Sequence, residues 1–181
     1  MTKADIIARA KEFCEEHKIS SYPVNIISIC EECGFKVFEE KLPENVSGFI
    51  LTISKERHED SYEKFFARYK TDKIIVINID DSAKRKRFTI AHELAHYILH
   101  SNGDELYAHR DAGQNGGIET EANIFASNIL MPEDLVNEAL EWFDGFYLEN
   151  ISFSDKVIYI SKEFAVSISA AQTRLSQLIA S

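Results

Sequence analysis

Two histidines four residues apart with a glutamate after the first, His92, Glu93 and His96 in the string HELAH, are the residues of this chain best placed to do chemistry. Residues four apart on a helix share a face, so the two imidazoles can converge on one small ion. Glu93 is then placed to act as general base on a metal-bound water. The pattern is HExxH, and it implies zinc-dependent hydrolysis, of peptide bonds above all. The spacing alone also occurs in ordinary amphipathic helices. Here it is set among Phe88, Ile90, Ala91, Leu94, Ala95, Ile98 and Leu99, a frame that reads as buried helix. Imidazoles and a carboxylate withdrawn from water are costly unless a metal or a partner satisfies them.

A third ligand has to come from elsewhere. One subclass of HExxH proteins continues to a third histidine six residues after the second, but that position is Asn102 here. His100 lies one turn beyond His96, too far along a rigid helix to close the same site, and reads as a helix-terminal histidine near the last carbonyls. Two carboxylates in a later helix, Glu119 and Glu121, are the candidates. They face about 200° apart, so one ion does not take both. Asn123 follows Glu119 at i+4 on the same face, where it can orient a ligand histidine. Glu119 is therefore preferred.

The elements that must position these residues follow from periodicity and turn signals. Residues 3–18 read as a helix with Ile6, Ile7, Ala10, Phe13 and Cys14 at helical spacing. A short helix in NIISICEECGF is closed by Gly34. Residues 35–39, 46–53 and 73–79 read as strands. Tyr62, Phe65, Phe66 and Tyr69 give the charged stretch 54–72 an amphipathic helix with an aromatic packing face. Asp80, Asp81 and Ser82 offer N-cap oxygens to the motif helix, which runs to about His100. Residues 101–118 read as a flexible, Gly-containing loop rimming the cleft, followed by a helix over 118–131. Pro132 opens the next helix, and two more surround a Val166–Ser167 turn. The expected fold is α+β with a small antiparallel-type sheet, its strand 73–79 at the cleft edge, ready to pair with an extended substrate. One domain is expected, comprising N-terminal helices and strands (1–53), a metal-site core (73–131) and a C-terminal helical appendage (154–181).

Composition narrows the class. A chain of 181 residues, 45% hydrophobic and 28% charged, suits one globular domain with a sizeable core. No apolar run approaches the ~18 residues of a membrane span. The N-terminus lacks a signal-peptide apolar region, so a cytoplasmic location is expected. A net charge of −10 argues against direct nucleic-acid binding. Cys14, Cys30 and Cys33 are an odd number, and the CxxC pair reads as structural thiols on the apolar side of its helix rather than a disulfide or second zinc site.

The run RFTIAHELAHYILH (Arg87 to His100) followed by IETEANIFASNILMP (Ile118 to Pro132) resembles the ImmA/IrrE-type metallo-endopeptidases. The upstream YPVNIISICEECGFKVFEE, VSGFI and IIVINI, and the tail SKEFAVSISAAQTRLSQL, follow the same order. The resemblance implies a zincin-like metallopeptidase with Zn2+ on His92, His96 and Glu119 and with Glu93 catalytic. It implies a cytosolic protease of bacteria and mobile elements, including prophage-type regulation, whose substrate is a helix-turn-helix repressor or an antitoxin-like regulator. The charged segment 54–72 and the long loop 101–118 depart from the simplest family pattern. Tyr97, Tyr107 and His109 are candidates for oxyanion stabilisation, Tyr97 reading better as a packing residue. Two alternatives stay open. One is a non-catalytic zinc-binding regulatory protein that grips a partner transcription factor. The other is a DNA-binding module in the last two helices, where Lys156, Lys162 and Arg174 are the only bases.

Overall fold

Ile74, Ile75, Val76 and Ile77 are four consecutive β-branched residues without polar alternation. A strand of that kind has to be covered on both faces and paired on both sides. The computed structural model describes residues 1–53, 59–101, 107–110, 116–146 and 151–179. In chain order its elements are α1 (Lys3–Glu16), α2 (Ile26–Glu32), β1 (Lys36–Glu40), β2 (Gly48–Thr52), α3 (Glu59–Tyr69), β3 (Lys73–Asn78), α4 (Ala83–His100), β4 (Tyr107–Arg110), α5 (Gly116–Leu130), α6 (Glu133–Phe146), α7 (Phe153–Glu163) and α8 (Ile168–Ile179). They fall into two compact units, one of residues 26–123 and one of residues 1–25 with 124–181.

The first unit is a mixed sheet and the helices that follow from it. Strand order is β1-β3-β2-β4. β3 runs parallel to β1, with Lys36 opposite Ile74, and antiparallel to β2, with Gly48 opposite Ile77. The sheet is therefore mixed rather than of the antiparallel type. β3 returns through α3 and enters between β1 and β2, and a parallel neighbour needs such a crossover. β3 is also interior and paired on both sides, so it is not the cleft-edge strand that the sequence reading made it. The edges are β1 and β4. Within the expected loop 101–118, residues 107–110 form β4, antiparallel to β2 with Phe49 opposite Arg110. That four-residue segment is too short and polar to announce itself by alternation.

Helix α4 is set by both its ends and its middle. The Ser82 hydroxyl caps it by accepting from the Arg85 amide. Just upstream, the buried Asn78 donates from Nδ2 to the Val46 carbonyl at 3.0 Å and accepts the Asp80 amide at 3.2 Å, joining the end of β3 to the approach of β2. Thr89, Ile90, Ala91, Leu94 and Ala95 are buried along the helix. Gly48 of the sheet lies tight against the helix: a Cβ there would be 2.6 Å from Thr89 Cγ2 and 2.8 Å from the Val76 carbonyl oxygen. On the other side of β1, Tyr69 of α3 packs edge-on against Phe38, and Arg68 reaches Glu40 at 2.8 Å. Of the aromatic stripe, Phe65 packs on Tyr69 and both are half-buried, whereas Phe66 is 40% exposed.

The second unit is helical. α1 and α7 each begin with a capping box, Thr2 with Asp5 and Ser152 with Asp155. The core of this unit includes Ile6, Phe13, Phe125, Val136 and Phe164. Phe13 lies edge-on to Phe125, and Tyr22 stacks on Phe164. Ala165 turns α7 into α8 with a left-handed φ of 51°, and the Ser161 hydroxyl donates to the Val166 carbonyl to hold that turn. Among the described residues no helix is long and apolar enough to cross a membrane.

The close approach at Gly48 generates a prediction. Gly48→Ala should destabilise the protein by about 1–3 kcal/mol, because the methyl group meets the sheet backbone and a buried threonine that cannot swing away. Urea unfolding should show a lower midpoint with an unchanged slope.

Candidate metal centre

α4 carries His92 and His96 on one stripe, one turn apart, because 3.6 residues make a turn. α5 supplies Glu119 in its first turn. The three side chains come together. His92 Nε2 lies 2.9 Å from His96 Nε2 and 3.0 Å from Glu119 Oε2, and His96 Nε2 lies 3.3 Å from Glu119 Oε1. Asn123, one turn after Glu119, sets the His92 ring: its Oδ1 is 3.0 Å from His92 Nδ1. That oxygen only accepts, so Nδ1 carries the hydrogen and Nε2 presents a lone pair to the cluster. Glu93 is 1% exposed and His96 is fully buried.

The donor set fits a zinc ion. Two imidazole nitrogens and a carboxylate oxygen lie within 4.8 Å of one another, with no other such group found among the described residues. Ligands at about 2.1 Å in a tetrahedron stand roughly 3.4 Å apart, close to the separations here. Lone pairs this close repel each other, and a cation between them turns that repulsion into attraction. Two histidines and one carboxylate would leave a fourth position for water or substrate.

The other residues singled out from sequence are placed as follows. Glu121 does not join the cluster; its Oε2 lies 3.6 Å from His100 Nε2. This second carboxylate–imidazole pair, whose ring lies 5.9 Å from the His96 ring, was missed in the sequence. The signal was there in the stripe His92, His96, His100, but the partner of His100 sits in another helix. Tyr97 packs edge-on against Phe35 and takes a hydrogen bond from Lys73 Nζ at 3.3 Å, a packing arrangement. The side chains of Tyr107 and His109 lie outside what the structure describes. Cys30 is buried and Cys33 partly so, and among the described residues neither is in a disulfide; burial pushes the Cys30 thiol far up.

The family description "IrrE N-terminal-like domain", of peptidase M78, matches residues 30–176. The chain belongs to that family. Among its relatives is the metallopeptidase ImmA of Bacillus subtilis, 32% identical over 78 residues, which cover 42% of this chain and 46% of that protein. The radiation response metalloprotease IrrE of Deinococcus radiodurans is 42% identical over 74 residues, 39% of this chain and 23% of its own length. Its namesake in Deinococcus deserti is 35% identical over 74 residues, 39% of this chain and 26% of its own length. The matched region thus spans less than half of each of these relatives. Among the described residues, the His92, His96 and Glu119 cluster is where this chain has donors for a metal ion.

Chelator competition tests the ligand set. Glu119→Ala should weaken metal binding most, and Asn123→Ala about 10–100-fold by releasing the His92 ring. Glu121→Ala should change it little. The reverse order of Glu119 and Glu121 would move the carboxylate ligand.

Proposed function

We propose that this chain is a zinc-dependent endopeptidase, with His92, His96 and Glu119 as ligands, Glu93 as general base and Asn123 orienting His92. The observation that carries this reading is the convergence of three ligand atoms of the right chemistry from α4 and α5, with Glu93, next to His92 in α4, 1% exposed. A bound zinc supplies a Lewis acid and an acidified water. Glu93 takes the proton from the attacking water and returns it to the departing amine, so the cut leaves a carboxylate and a free amino terminus. His92 is held in one tautomer by Asn123, which keeps its lone pair directed at the centre. An extended substrate can add to the sheet only at an edge; β4 is the edge that borders β2, the strand lying against α4 at Gly48.

The substrate we infer is a protein, a helix-turn-helix repressor or an antitoxin-like regulator. The names of the relatives support proteolysis, and the family resemblance supports the kind of regulator. A basic DNA-binding protein also complements a chain of net charge −10. Direct DNA binding by α7 and α8 has little support: Arg174 is buried, and Lys156 pairs with Asp144 at 2.6 Å. The non-catalytic alternative, a zinc-binding regulator that holds its partner uncut, differs in one measurable respect.

Glu93→Gln should retain the metal and the fold and slow cleavage of a candidate repressor about 10²–10⁴-fold. A metal-loaded wild type that binds the repressor without cutting it would favour the regulator. Association of the Glu93→Gln protein with its substrate should weaken as salt is added, read by titration calorimetry at two ionic strengths. Salt-independent binding would remove the charge argument for a basic partner.

A further inference from the structure

The helical unit of residues 1–25 and 124–181 contains a cavity of about 530 Å³ that the proteolytic reading does not use. α1, the junction of α5 with α6, and α8 line it. Its size is that of small-molecule sites.

Two polar side chains among its lining residues are nine-tenths buried or more. Arg174 is 2% exposed, and Asn128 is 5% exposed. Arg174 donates from Nε to the Met131 carbonyl at 3.0 Å, and among the described residues it forms no other hydrogen bond and no ion pair. A guanidinium has five N–H groups, so most of this fork is left for the cavity. Burial holds the guanidinium below its usual pKa, and the charge of Glu133, which also lines the cavity, opposes that shift. Asn128 donates from Nδ2 to the Ile124 carbonyl, which leaves its Oδ1 as an acceptor. The buried lining therefore offers a donor fork and an acceptor. The wall also carries Ile7, Ile19, Pro132 and Leu135.

A simple carboxylate would satisfy Arg174 but meet the acids Glu15, Glu133, Asp134 and Glu138 around the cavity, which outnumber the lysines Lys11 and Lys18. A simple amine would leave the buried guanidinium unanswered. A molecule carrying an ammonium and a carboxylate on one carbon, with an apolar body, answers all three features. We propose that this cavity binds a large apolar α-amino acid, its carboxylate on the Arg174 guanidinium, its ammonium between the Asn128 carboxamide oxygen and Glu133, and its side chain against the apolar wall. Carboxylate on guanidinium is a paired, charge-assisted contact, which fixes the orientation of the ligand.

Cys14 lines the same cavity and reports on it without any mutation. Burial pushes its thiol up to about 11, so its alkylation is slow and measurable. Cys33, partly exposed and not a lining residue, is the internal control. Iodoacetamide labelling of the full chain, read at each cysteine by mass spectrometry, should slow at Cys14 about tenfold when L-phenylalanine is ten times its Kd, with Cys33 unchanged. The analogues 3-phenylpropanoate and 2-phenylethylamine, each lacking one charge, should need concentrations at least about ten times higher for the same protection. Arg174→Lys keeps the charge and loses the fork, so it should abolish protection. If that variant does not fold, the wild-type comparison of the three ligands still decides. Absence of protection up to the solubility of phenylalanine, equal protection by either analogue, or equal slowing at Cys33 would each overturn the proposal.

Discussion

Two imidazole nitrogens and a carboxylate can stand 2.9 to 3.3 Å apart only on backbones that do not yield, because their lone pairs repel until a cation lies between them. The structure of residues 26–123 is the means of holding them there. α4 is an 18-residue helix, long enough to carry both histidines in its middle and still be fixed at its ends. Ser82 fixes one end. The sheet fixes the middle, through a glycine that lets the helix lie against β2 and β3. α5 then has only to present its first two turns, where Glu119 and Asn123 share a face.

Which interactions do the holding can be judged by magnitude. Arg85 with Asp81 and Lys86 with Glu39 are ion pairs at the surface, and such pairs contribute about 0–1 kcal/mol each. Ile90 and Leu94 are buried, and each such side chain contributes about 1.5–3 kcal/mol relative to exposure. The apolar face of α4 therefore keeps the helix on the sheet, and the ion pairs only trim its start. The same burial takes Glu93 and His96 out of water. A carboxylate and an imidazole in that setting interact with a neighbouring ion far more strongly than they would at a surface.

On the proposed reading, the metal centre uses only residues of the 26–123 unit, and the helical unit is free to do other work. Its buried arginine is costly in a purely structural role, since a single carbonyl answers a five-donor group. A cavity beside it, with an acceptor and an apolar wall, gives that arginine a ligand-binding use. Arg174, one of the three bases of the C-terminal helices, is turned inward rather than toward the surface.

The local part of this protein was legible in its residues. Helical periodicity located α1, α4, α5 and the α7–α8 pair to within a few residues, and the i, i+4 rule put His92 with His96 and Glu119 with Asn123, because these relations depend only on the pitch of one helix. The turn signals Ser82 and Gly34 worked for the same reason. What needed the tertiary structure was every relation between elements. The apolar run of β3 says that the strand is covered but not which strands flank it, so its interior place and its parallel partner β1 came only with the fold. β4 had no pattern of its own and exists because β2 has a free edge for it to pair with. His100 found Glu121, and Gly48 found Thr89, across separations that no periodicity spans. The cavity at Arg174 is of the same kind: its lining residues come from both ends of the chain, and only packing brings them together.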